Sequence, residues 1–387
     1  MRFAKRIFRL KSEGAFEMLV KAQELESQGR DIIHLEIGQP DFDTPVNIKN
    51  AGKKAIDEGY TKYTAPQGLL ELREEIAKLV SETRHIPVSP EEVVVTPGAK
   101  PIIFFSILAC VNEGEEVLYP NPGFPIYESV INFVNAKPIP IPLLEEKDFT
   151  VDIDFLKKAM NPNVKMIILN SPHNPTGGVL TQEDLKIIGE MALEYDVIVL
   201  SDEIYSEIVY DNEFYSISSF PDMKKNTIIL DGFSKFHSMT GWRLGYGVMP
   251  PELARHITKL MINSNSCAAA FTQIAGIEAI QGPQNEQKAR VEKFRKRRDI
   301  IVEGLNKIKG FSCRTPKGAF YAFPNIKNLG MSSQELANYI LEKAGVACLP
   351  GSCFGEFGEG YLRFSYANSV ENIKRALDRI RDAVDRL

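Results

Sequence analysis

The sequence lacks long apolar runs and has no surplus of positive charge. In its 387 residues, no stretch approaches the roughly 18 uninterrupted apolar residues that a membrane span requires, so a membrane protein is not expected. Charged residues make up 25% of the chain, but the formal net charge is only −5 and the sequence pI is about 5.8. Without a basic surplus there is no electrostatic reason to expect nucleic acid as a partner.

Cysteine and histidine are also scarce, and neither shows the spacing of a metal site. The five cysteines include no Cys-x-x-Cys pair, which favours reduced thiols in a cytoplasmic compartment over a disulfide frame or a zinc site. They are Cys110, Cys267, Cys313, Cys348 and Cys353. His237 follows Lys235 by two residues, and we interpret it as a bystander on the same turn. No metal is predicted.

The basic segment at residues 2–11 raises the question of targeting. It lacks the apolar centre and the small-residue cleavage site of a secretory signal, so export is not expected. An arginine-rich transit peptide is the alternative for this segment. We predict a cytoplasmic protein.

What the chain does contain is an alternation of apolar runs and helical stretches. At 387 residues, 44% of them hydrophobic, it exceeds the usual size of one core, which predicts two domains. Short Val/Ile/Leu runs separated by helices indicate a mostly parallel sheet covered on both faces. No Gly-x-Gly-x-x-Gly follows the first strand, which disfavours a nicotinamide-dependent Rossmann enzyme. The runs are residues 93–96, 117–119, 166–169, 197–200, 227–230 and 244–248.

The alternation of apolar runs and helical stretches ends near residue 284. A long charged helix at 285–308 is followed by short strands and two more helices, which predicts an α+β unit. The strands are predicted at 312–314, 318–323, 347–349 and 361–366, and the helices at 333–343 and 369–387. We therefore predict a large α/β domain at residues 48–284 and a smaller α+β domain made of residues 1–47 and 285–387.

The N-terminal segment contributes three predicted elements. Apolar spacing predicts a helix over residues 12–28, followed by a short strand at 32–37. Thr44 is the predicted N-cap of the next helix, with Pro45 at its first position.

The most informative stretch surrounds Lys235. This lysine follows the apolar run at 227–230, with Ser234 directly before it and Arg243 eight residues later. A lysine at a strand end, beside groups suited to a phosphate, is what a pyridoxal phosphate (PLP) enzyme needs to hold its cofactor as a Schiff base.

Polar residues also follow the other predicted strands, and in an open α/β sheet ligands gather at the carboxyl ends of strands. Asp202 directly follows a buried strand and needs a cationic partner, such as a protonated pyridine nitrogen. Asn174, in a proline-bracketed loop, and Tyr205 have side chains that can hydrogen-bond a phenolic oxygen. The glycine turn before Lys100 offers free backbone N–H groups to a phosphate.

Arg363 lies among the apolar residues of the predicted strand at 361–366. A guanidinium in that position matches a carboxylate with two parallel hydrogen bonds. A buried interdomain salt bridge is the other interpretation of this residue.

Together these segments resemble the class I/II aminotransferases, PLP-dependent enzymes of fold type I that include the aspartate aminotransferases. The resemblance covers essentially the whole chain, with the motifs in the same order. It implies an α/β fold with a mostly parallel, seven-stranded sheet between helices, plus a smaller α+β domain. The motifs are Gly38-Gln39-Pro40-Asp41-Phe42, Tyr63-Thr64, Pro97-Gly98-Ala99-Lys100, Tyr119-Pro120-Asn121-Pro122-Gly123-Phe124, Asn174-Pro175-Thr176-Gly177, Asp202-Glu203-Ile204-Tyr205, Ser234-Lys235, Gly241-Trp242-Arg243-Leu244-Gly245 and Arg363.

The resemblance also implies the site residues and partners. The catalytic residues would be Lys235, Asp202 and Tyr205. The cofactor, pyridoxal 5'-phosphate, would be bound by Lys235, Asp202, Tyr205, Asn174, Phe124, Ala99, Lys100, Ser234, Arg243 and Tyr63. The substrate would be bound by Arg363, Asn174, Gly38 and Lys100. Amino acids and 2-oxo acids would be the substrates in a ping-pong reaction, and a homodimer would be required because Tyr63 would reach into the partner's site.

The resemblance implies a separate role for each of these residues. Lys235 would carry the cofactor and shuttle the proton, while Asp202 would pair with the pyridine nitrogen. Phe124 would stack on the ring, where many relatives have tryptophan or tyrosine. Gly232 departs from the family pattern, since many relatives have a further phosphate-binding serine there, but the rest of the phosphate cradle is intact.

The amino donor is less well defined. Lys100 would meet a distal carboxylate, which favours aspartate or glutamate with 2-oxoglutarate as acceptor, although a solvated helix-end lysine is the alternative. Glu13 opposes an acidic substrate, because two carboxylates repel unless Lys100 lies between them. Phe16, Ile37 and Phe42 would suit an aromatic or aliphatic side chain instead. A PLP-dependent C–S lyase or decarboxylase and a PLP-binding regulatory module are the remaining alternatives.

Overall fold

The computed structural model describes residues 1–12 and 14–387, except for the side chain of Phe16. Its helices are α1 (Gly14–Ser27), α2 (Val46–Asp57), α3 (Leu70–Arg84), α4 (Lys100–Cys110), α5 (Ile126–Phe133), α6 (Ile153–Ala159), α7 (Gln182–Glu194), α8 (Pro251–Ser264), α9 (Ala270–Gln281), α10 (Asn285–Leu305), α11 (Ser333–Ala344) and α12 (Val370–Val384). Its strands are β1 (Ile33–His34), β2 (Val93–Thr96), β3 (Glu116–Asn121), β4 (Lys137–Leu144), β5 (Thr150–Val151), β6 (Val164–Asn170), β7 (Ile198–Asp202), β8 (Thr227–Gly232), β9 (Gly245–Val248), β10 (Tyr321–Ala322), β11 (Val346–Ala347), β12 (Leu349–Pro350) and β13 (Leu362–Ser365). Among these residues, no helix combines the length and the apolar character that crossing a membrane requires.

The central sheet brings the ends of its inner strands together at one edge. Its strand order is β2-β9-β8-β7-β6-β3-β4-β5. Strands β8, β7, β6, β3 and β4 are mutually parallel, which confirms the predicted mostly parallel sheet. The register pairs Asn170 with Asp202 and Asp202 with Leu230. The loops that follow β6, β7 and β8 therefore start side by side and converge.

One side of the sheet has two strands, β4 and β5, that the sequence pattern does not include. The seven expected strands are present, and β5 adds a two-residue eighth strand. The sequence pattern does not predict β4, because Pro138, Pro140 and Pro142 alternate along it. The Lys137 amide donates towards β3, to the carbonyl of Glu115 at 2.8 Å. By the two-residue period of a strand, the three prolines face away from β3, where a missing N–H costs no hydrogen bond to that neighbour.

The smaller sheets have shorter strands than the sequence predicts. One sheet pairs β1 with β11, and the other has the order β10-β13-β12. One predicted strand is reduced to the bridge between Ser312 and Asn325. The strand predicted at 32–37 is limited to β1, because the carbonyl groups of Glu36 and Gly38 instead accept hydrogen bonds from side chains of the candidate site.

The buried side chains of the described residues form four clusters. One cluster joins the N-terminal segment to the C-terminal α+β part, with Met18, Leu35, Phe320 and Ile380 among its members. The other three lie within the central sheet and its helices. The division into domains at residues 48–284 and at 1–47 with 285–387 agrees with this distribution and stays a prediction.

One predicted helix start is wrong. Helix α2 begins at Val46 with Pro45 as the N-cap, and the Thr44 side chain does not cap it. The Thr44 hydroxyl donates to the Ser238 carbonyl at 2.6 Å and accepts from the Trp242 indole at 2.9 Å. Tertiary contacts with the loop that follows Lys235 therefore take the hydroxyl that a local cap would have used.

Candidate active site

A cavity of about 470 Å³ lies where the loops after the central strands meet β10, β12 and β13. Side chains from segments far apart in the sequence form its wall. The predicted site residues that line it are Gly38, Ala99, Lys100, Phe124, Asn174, Asp202, Tyr205, Ser234, Lys235, Arg243 and Arg363. The cavity thus brings together the residues that follow β2, β6, β7 and β8 with one arginine of β13.

Lys235 lies on the loop after β8 and points into the cavity. Its Nζ donates a hydrogen bond to the Gly38 carbonyl at 2.7 Å. Burial, together with the charges of Arg363 and Arg243, lowers the pKa of Lys235 to about 8, while Asp202 opposes the change. A neutral amine is therefore available near neutral pH.

Asp202 ends β7 and is almost fully buried. Burial raises the pKa of Asp202 to about 6, and hydrogen bonds from Tyr127 and from the Ile204 amide oppose that rise. The Tyr127 hydroxyl donates to Oδ2 at 2.6 Å, and the amide lies 3.3 Å from Oδ1. Asp202 is a desolvated carboxylate that would be stabilised by a cation in the cavity.

Arg363, in β13, lies close to two aromatic rings. Its Cζ lies 4.5 Å from the Tyr321 ring centroid and 4.9 Å from that of Phe354. Nη1 donates to Asn174 Oδ1 at 3.0 Å, and Nη2 donates to the Glu36 carbonyl. Nε is buried and has no hydrogen-bond partner among the described residues. A fixed, desolvated guanidinium of this kind suits an incoming carboxylate.

Tyr205 and Asn174 are also held by neighbouring side chains. The hydroxyl groups of Tyr205 and Tyr321 lie 2.6 Å apart. The Asn174 backbone N–H donates to Asn170 Oδ1 at 2.9 Å, which ties the loop after β6 to the last residue of that strand, and the Asn174 side-chain Oδ1 accepts from Arg363. Both side chains therefore stand in the cavity with restricted freedom.

A corner suited to a phosphate lies at the start of α4. Gly98 has a φ of +82°, and a Cβ at that position would overlap the guanidinium of Arg243. Nη1 of Arg243 donates to the Thr240 carbonyl at 2.9 Å. Ala99, directly before α4, and Ser234 line the same cavity. A helix N-terminus, a guanidinium and a hydroxyl are groups that bind phosphate.

The remaining wall is largely apolar. Ile103, Leu349 and Phe354 line the cavity together with Phe124. Nζ of Lys100 lies 5.2 Å from the centroid of the Phe124 ring. The space next to the phosphate corner therefore combines apolar surface with one ammonium group.

Two of the predicted residues lie outside the wall of this cavity in the part of the chain that is described. Tyr63 is 88% exposed on the loop between α2 and α3. Phe42 packs against an aromatic ring of α10, with centroids 5.5 Å apart, while Ile37 does line the cavity. Glu13 and the side chain of Phe16 lie outside the described residues.

A buried ion network lies behind the site. Arg84, the last residue of α3, donates to Glu203 and to Asp231 at 2.9 Å each, and to the Ser206 hydroxyl at 2.9 Å. Burial raises the pKa of Asp231 to about 7, and the charge of Arg84 opposes that rise. Glu203 follows Asp202, and Asp231 belongs to β8. One guanidinium therefore joins the two strand ends that precede the site.

Three of these residues were missed by sequence reasoning. The sequence could have indicated Tyr127 and Tyr321, because a tyrosine in an apolar helix or strand needs a hydrogen-bond partner for its buried hydroxyl. That signal does not identify Asp202 or Tyr205 as the partner. Arg84 carried no signal, because an arginine at a helix end is ordinarily solvated.

His237 does not take part in this arrangement. Its ring is buried, with the Phe233 and Phe236 ring centroids 5.6 and 5.1 Å away. Burial lowers the pKa of His237 to about 4, so the ring is neutral at physiological pH. Across residues 1–12 and 14–387, no group of three or more His, Cys, Asp or Glu side chains is arranged to hold a metal ion.

Comparison with known proteins gives a consistent result over the whole chain. The family described as aminotransferase class I and II matches residues 30–380. The aspartate aminotransferase of Pyrococcus horikoshii is 40% identical over 385 residues, which are 99% of this chain and 97% of that protein. The aromatic-amino-acid aminotransferase 2 of Thermococcus litoralis is 38% identical over 353 residues, 90% of each protein. The solved structure of an alanine aminotransferase from Pyrococcus furiosus has a TM-score of 0.95 at 33% identity and covers 100% of both chains.

Proposed function

Because this chain belongs to the class I and II aminotransferase family and is an aminotransferase, we propose that it transfers the amino group of aspartate or glutamate to 2-oxoglutarate with pyridoxal 5'-phosphate as cofactor. The observation that carries the proposal is the meeting of Lys235, Asp202 and Arg363 in one cavity. An amine can move a proton, a buried carboxylate can pair with a cationic ring, and a guanidinium can bind the substrate's carboxylate.

The residues of the cavity fit this cofactor at both ends. At the phosphate end, the absent side chain of Gly98 leaves open a space beside Arg243 that a Cβ would fill. At the ring end, Asp202 is a buried carboxylate whose pKa is raised to about 6 by burial, so a cationic nitrogen would supply the charge that it lacks. Phe124 offers an aromatic face to the same cavity.

Five side chains would hold the cofactor besides the lysine. Ser234 and Arg243, with the amides at the start of α4, would bind the phosphate. Asp202 would bind the ring nitrogen. Tyr205 and Asn174 would bind the ring oxygen, because both line the cavity and carry suitable polar groups.

Lys235 moves the proton in the proposed reaction. When bound, PLP supplies an electron sink that makes the α-hydrogen of an amino acid acidic. Nζ of Lys235 must be neutral to accept that proton, and burial together with Arg363 and Arg243 lowers its pKa to about 8. The Gly38 carbonyl, 2.7 Å from Nζ, holds the amine in the cavity. Arg363 binds the α-carboxylate and so orients the α-carbon towards the amine.

Lys100 supports an acidic substrate. Its ammonium group lines the same cavity as Arg363, so a dicarboxylate would have a cation for each end. A charged hydrogen bond to the distal carboxylate is worth about 1.5–3 kcal/mol, enough to separate aspartate from a neutral amino acid.

An aromatic amino acid is the second candidate, and the apolar wall favours it. Ile37, Ile103, Leu349 and Phe354 provide a surface that suits a benzyl side chain. The relatives include both aspartate and aromatic-amino-acid aminotransferases, so the family alone leaves both donors possible.

The test compares donors in the wild type and in Lys100→Gln. We expect aspartate or glutamate to have the highest kcat/KM in the wild type. In Lys100→Gln, kcat/KM for aspartate should fall about 10- to 100-fold, since one charged hydrogen bond is lost. Alanine, which has no distal carboxylate, is the matched substrate and should change little. Lys100→Arg keeps the charge and should retain most of the preference.

Other outcomes contradict the proposal in different ways. A wild type that prefers phenylalanine, with aspartate unaffected by Lys100→Gln, would make the aromatic candidate correct. Release of ammonia or carbon dioxide without transfer of the amino group to 2-oxoglutarate would indicate a lyase or decarboxylase. A protein that binds no PLP would exclude the cofactor.

We also propose a cytoplasmic homodimer in which Tyr63 serves the partner's site. Tyr63 is 88% exposed, which supports this role, because an aromatic side chain that its own subunit leaves uncovered is available to contact another subunit. All five cysteines carry free thiols, which supports a reducing compartment.

A further inference from the structure

We propose that Tyr321 is a positioning residue that links the two halves of the site. Its hydroxyl directs the hydrogen bond of Tyr205, and its ring orients the guanidinium of Arg363. The inference rests on the proposed function, which assigns the cofactor's ring oxygen to Tyr205 and the substrate's carboxylate to Arg363.

The backbone holds Tyr321 rigidly beside both partners. It is 1% exposed and lies in β10, where it pairs with Ser365 of β13, two residues from Arg363. A Cβ on Gly38 would overlap the Tyr321 hydroxyl, so this hydroxyl lies directly against the residue whose carbonyl accepts from Lys235. Tyr321 therefore contacts three separate parts of the site.

The hydroxyl of Tyr321 determines whether the single hydrogen of the Tyr205 hydroxyl is available to another acceptor. The two oxygens lie 2.6 Å apart, and each hydroxyl carries one hydrogen. Burial raises the pKa of both groups, so both keep that hydrogen. When Tyr321 donates to Tyr205, the hydrogen of Tyr205 remains available for the ring oxygen. A hydroxyl that accepts a hydrogen bond also becomes a better donor.

The ring of Tyr321 acts on the other half of the site. Its centroid lies 4.5 Å from Cζ of Arg363, and that of the Phe354 ring lies 4.9 Å from the same atom. Nη1 of the guanidinium donates a hydrogen bond to Asn174, and Nη2 donates one to the Glu36 carbonyl. The ring contacts and these hydrogen bonds together restrict the guanidinium that would meet a carboxylate, and the cation–π attraction is stronger because the site is desolvated.

The hydroxyl and the ring can be removed separately. Tyr321→Phe loses the contact with Tyr205 but keeps the stacking, and Tyr321→Leu loses both. The matched control is Tyr366→Phe, which removes another buried hydroxyl, one that contacts Tyr210 and the Ala319 carbonyl at 3.3 Å each. Two readouts other than turnover are the pH titration of the bound cofactor's visible absorption band and the dissociation constant of succinate.

We expect different results from the two variants. In Tyr321→Phe, weaker donation by Tyr205 destabilises the anionic ring oxygen, so the midpoint of the absorption titration should rise by about half a pH unit or more. Its dissociation constant for succinate should stay within about twofold of the wild type. In Tyr321→Leu, loss of the cation–π contact should also weaken succinate binding about 3- to 30-fold. Tyr366→Phe should match the wild type in both measurements.

An unchanged titration midpoint in Tyr321→Phe would overturn the role of the hydroxyl. Equal succinate binding by the Phe and Leu variants would overturn the role of the ring. Failure of the proposed function is distinct from either result, because a wild type without a cofactor absorption band would reveal it before any variant is made.

Discussion

Lys235 and Asp202 share one cavity, and burial disfavours the charged form of each, so their pKa values shift in opposite directions. Burial lowers the pKa of Lys235 to about 8 and raises that of Asp202 to about 6. Each group reduces the pKa shift of the other, because the Asp202 carboxylate favours the ammonium form of Lys235 and the ammonium favours the carboxylate. Tyr127 further favours the ionised carboxylate through its hydrogen bond. Near neutral pH, Asp202 is mainly ionised and about a tenth of Lys235 is neutral.

The first prediction concerns Lys235 in the cofactor-free protein. Only the neutral amine attacks an aldehyde, so the rate at which Lys235 captures PLP should rise with pH and level off above about pH 8. Stopped-flow absorbance measures this rate. Borohydride reduction followed by mass spectrometry identifies the modified residue. Arg363→Gln removes a charge that lowers the pKa of Lys235, so its rate should level off at a higher pH.

Lys235→Ala is the control for this measurement, since it should bind PLP through the phosphate and ring contacts without forming a reducible link. A wild-type rate that keeps rising far above pH 8, as for a solvent-exposed lysine, would contradict the lowered pKa.

At the scale of elements, the site depends on how α3 joins β7 and β8. Arg84 ends α3 and pairs with Glu203, just after β7, and with Asp231 in β8. Both carboxylates are nearly fully buried, so neither can be hydrated if the guanidinium is lost. This pairing holds the two strand ends that carry Asp202 and Lys235 at a fixed separation.

Replacing Arg84 with glutamine should destabilise the protein strongly. Removal of one partner from a buried ion pair costs about 3–5 kcal/mol, because an unpaired buried charge remains. Equilibrium urea unfolding measures the change. Adding Asp231→Asn should recover part of the loss, since a neutral amide needs no cation. The matched control is Arg298→Gln, because the Arg298 side chain is 6% exposed while the carboxylates of its partners Asp211 and Asp299 are 47% and 60% exposed.

Those exposed carboxylates can be hydrated after the arginine is lost, so Arg298→Gln should cost about 1 kcal/mol or less. If Arg84→Gln and Arg298→Gln lowered the free energy of unfolding equally, the buried ion network would contribute no more to stability than an exposed ion pair.

At the scale of the whole molecule, the exposed apolar side chains point to an association surface. Val46 is 63% exposed, Tyr63 88% and Leu70 49%, and all three belong to the stretch from α2 to the start of α3. Large apolar side chains that are exposed in one subunit are available to be buried against a second copy. This supports a homodimer whose two sites each need both subunits.

Mixing two inactive variants tests that arrangement. Tyr63→Ala and Lys235→Ala homodimers should each have little activity. After subunit exchange, half of the dimers are mixed, and each mixed dimer contains one intact site if Tyr63 crosses the interface. Activity should therefore recover to about a quarter of the wild-type value.

The control mixes Lys235→Ala with Asp202→Asn. Both residues belong to one subunit's site, so no recovery is expected. Failure of the first mixture to recover would place Tyr63 in its own subunit's site.

Much of the fold and of the candidate site could be predicted from local sequence patterns. The Val/Ile/Leu runs are buried on both sides and separated by helices, which determines a parallel sheet. In such a sheet the carboxyl ends of the strands share an edge, so the residues after β6, β7 and β8 had to meet. Asn174, Asp202 and Lys235 were therefore predictable together. Strand β4 was not, because its prolines are tolerable only in a register that directs them away from β3.

What only the tertiary structure decided is how those residues are supported. Tyr127 lies 75 residues from Asp202, and Tyr321 lies 116 residues from Tyr205. Local periodicity marks each tyrosine as buried but carries no information about which distant polar group accepts or donates to it. Partners at that separation are set by the packing of α5 against the sheet and of β10 against the site. The sequence by itself thus determined which groups are proposed for the chemistry, and the packing determined their hydrogen bonds and their pKa values.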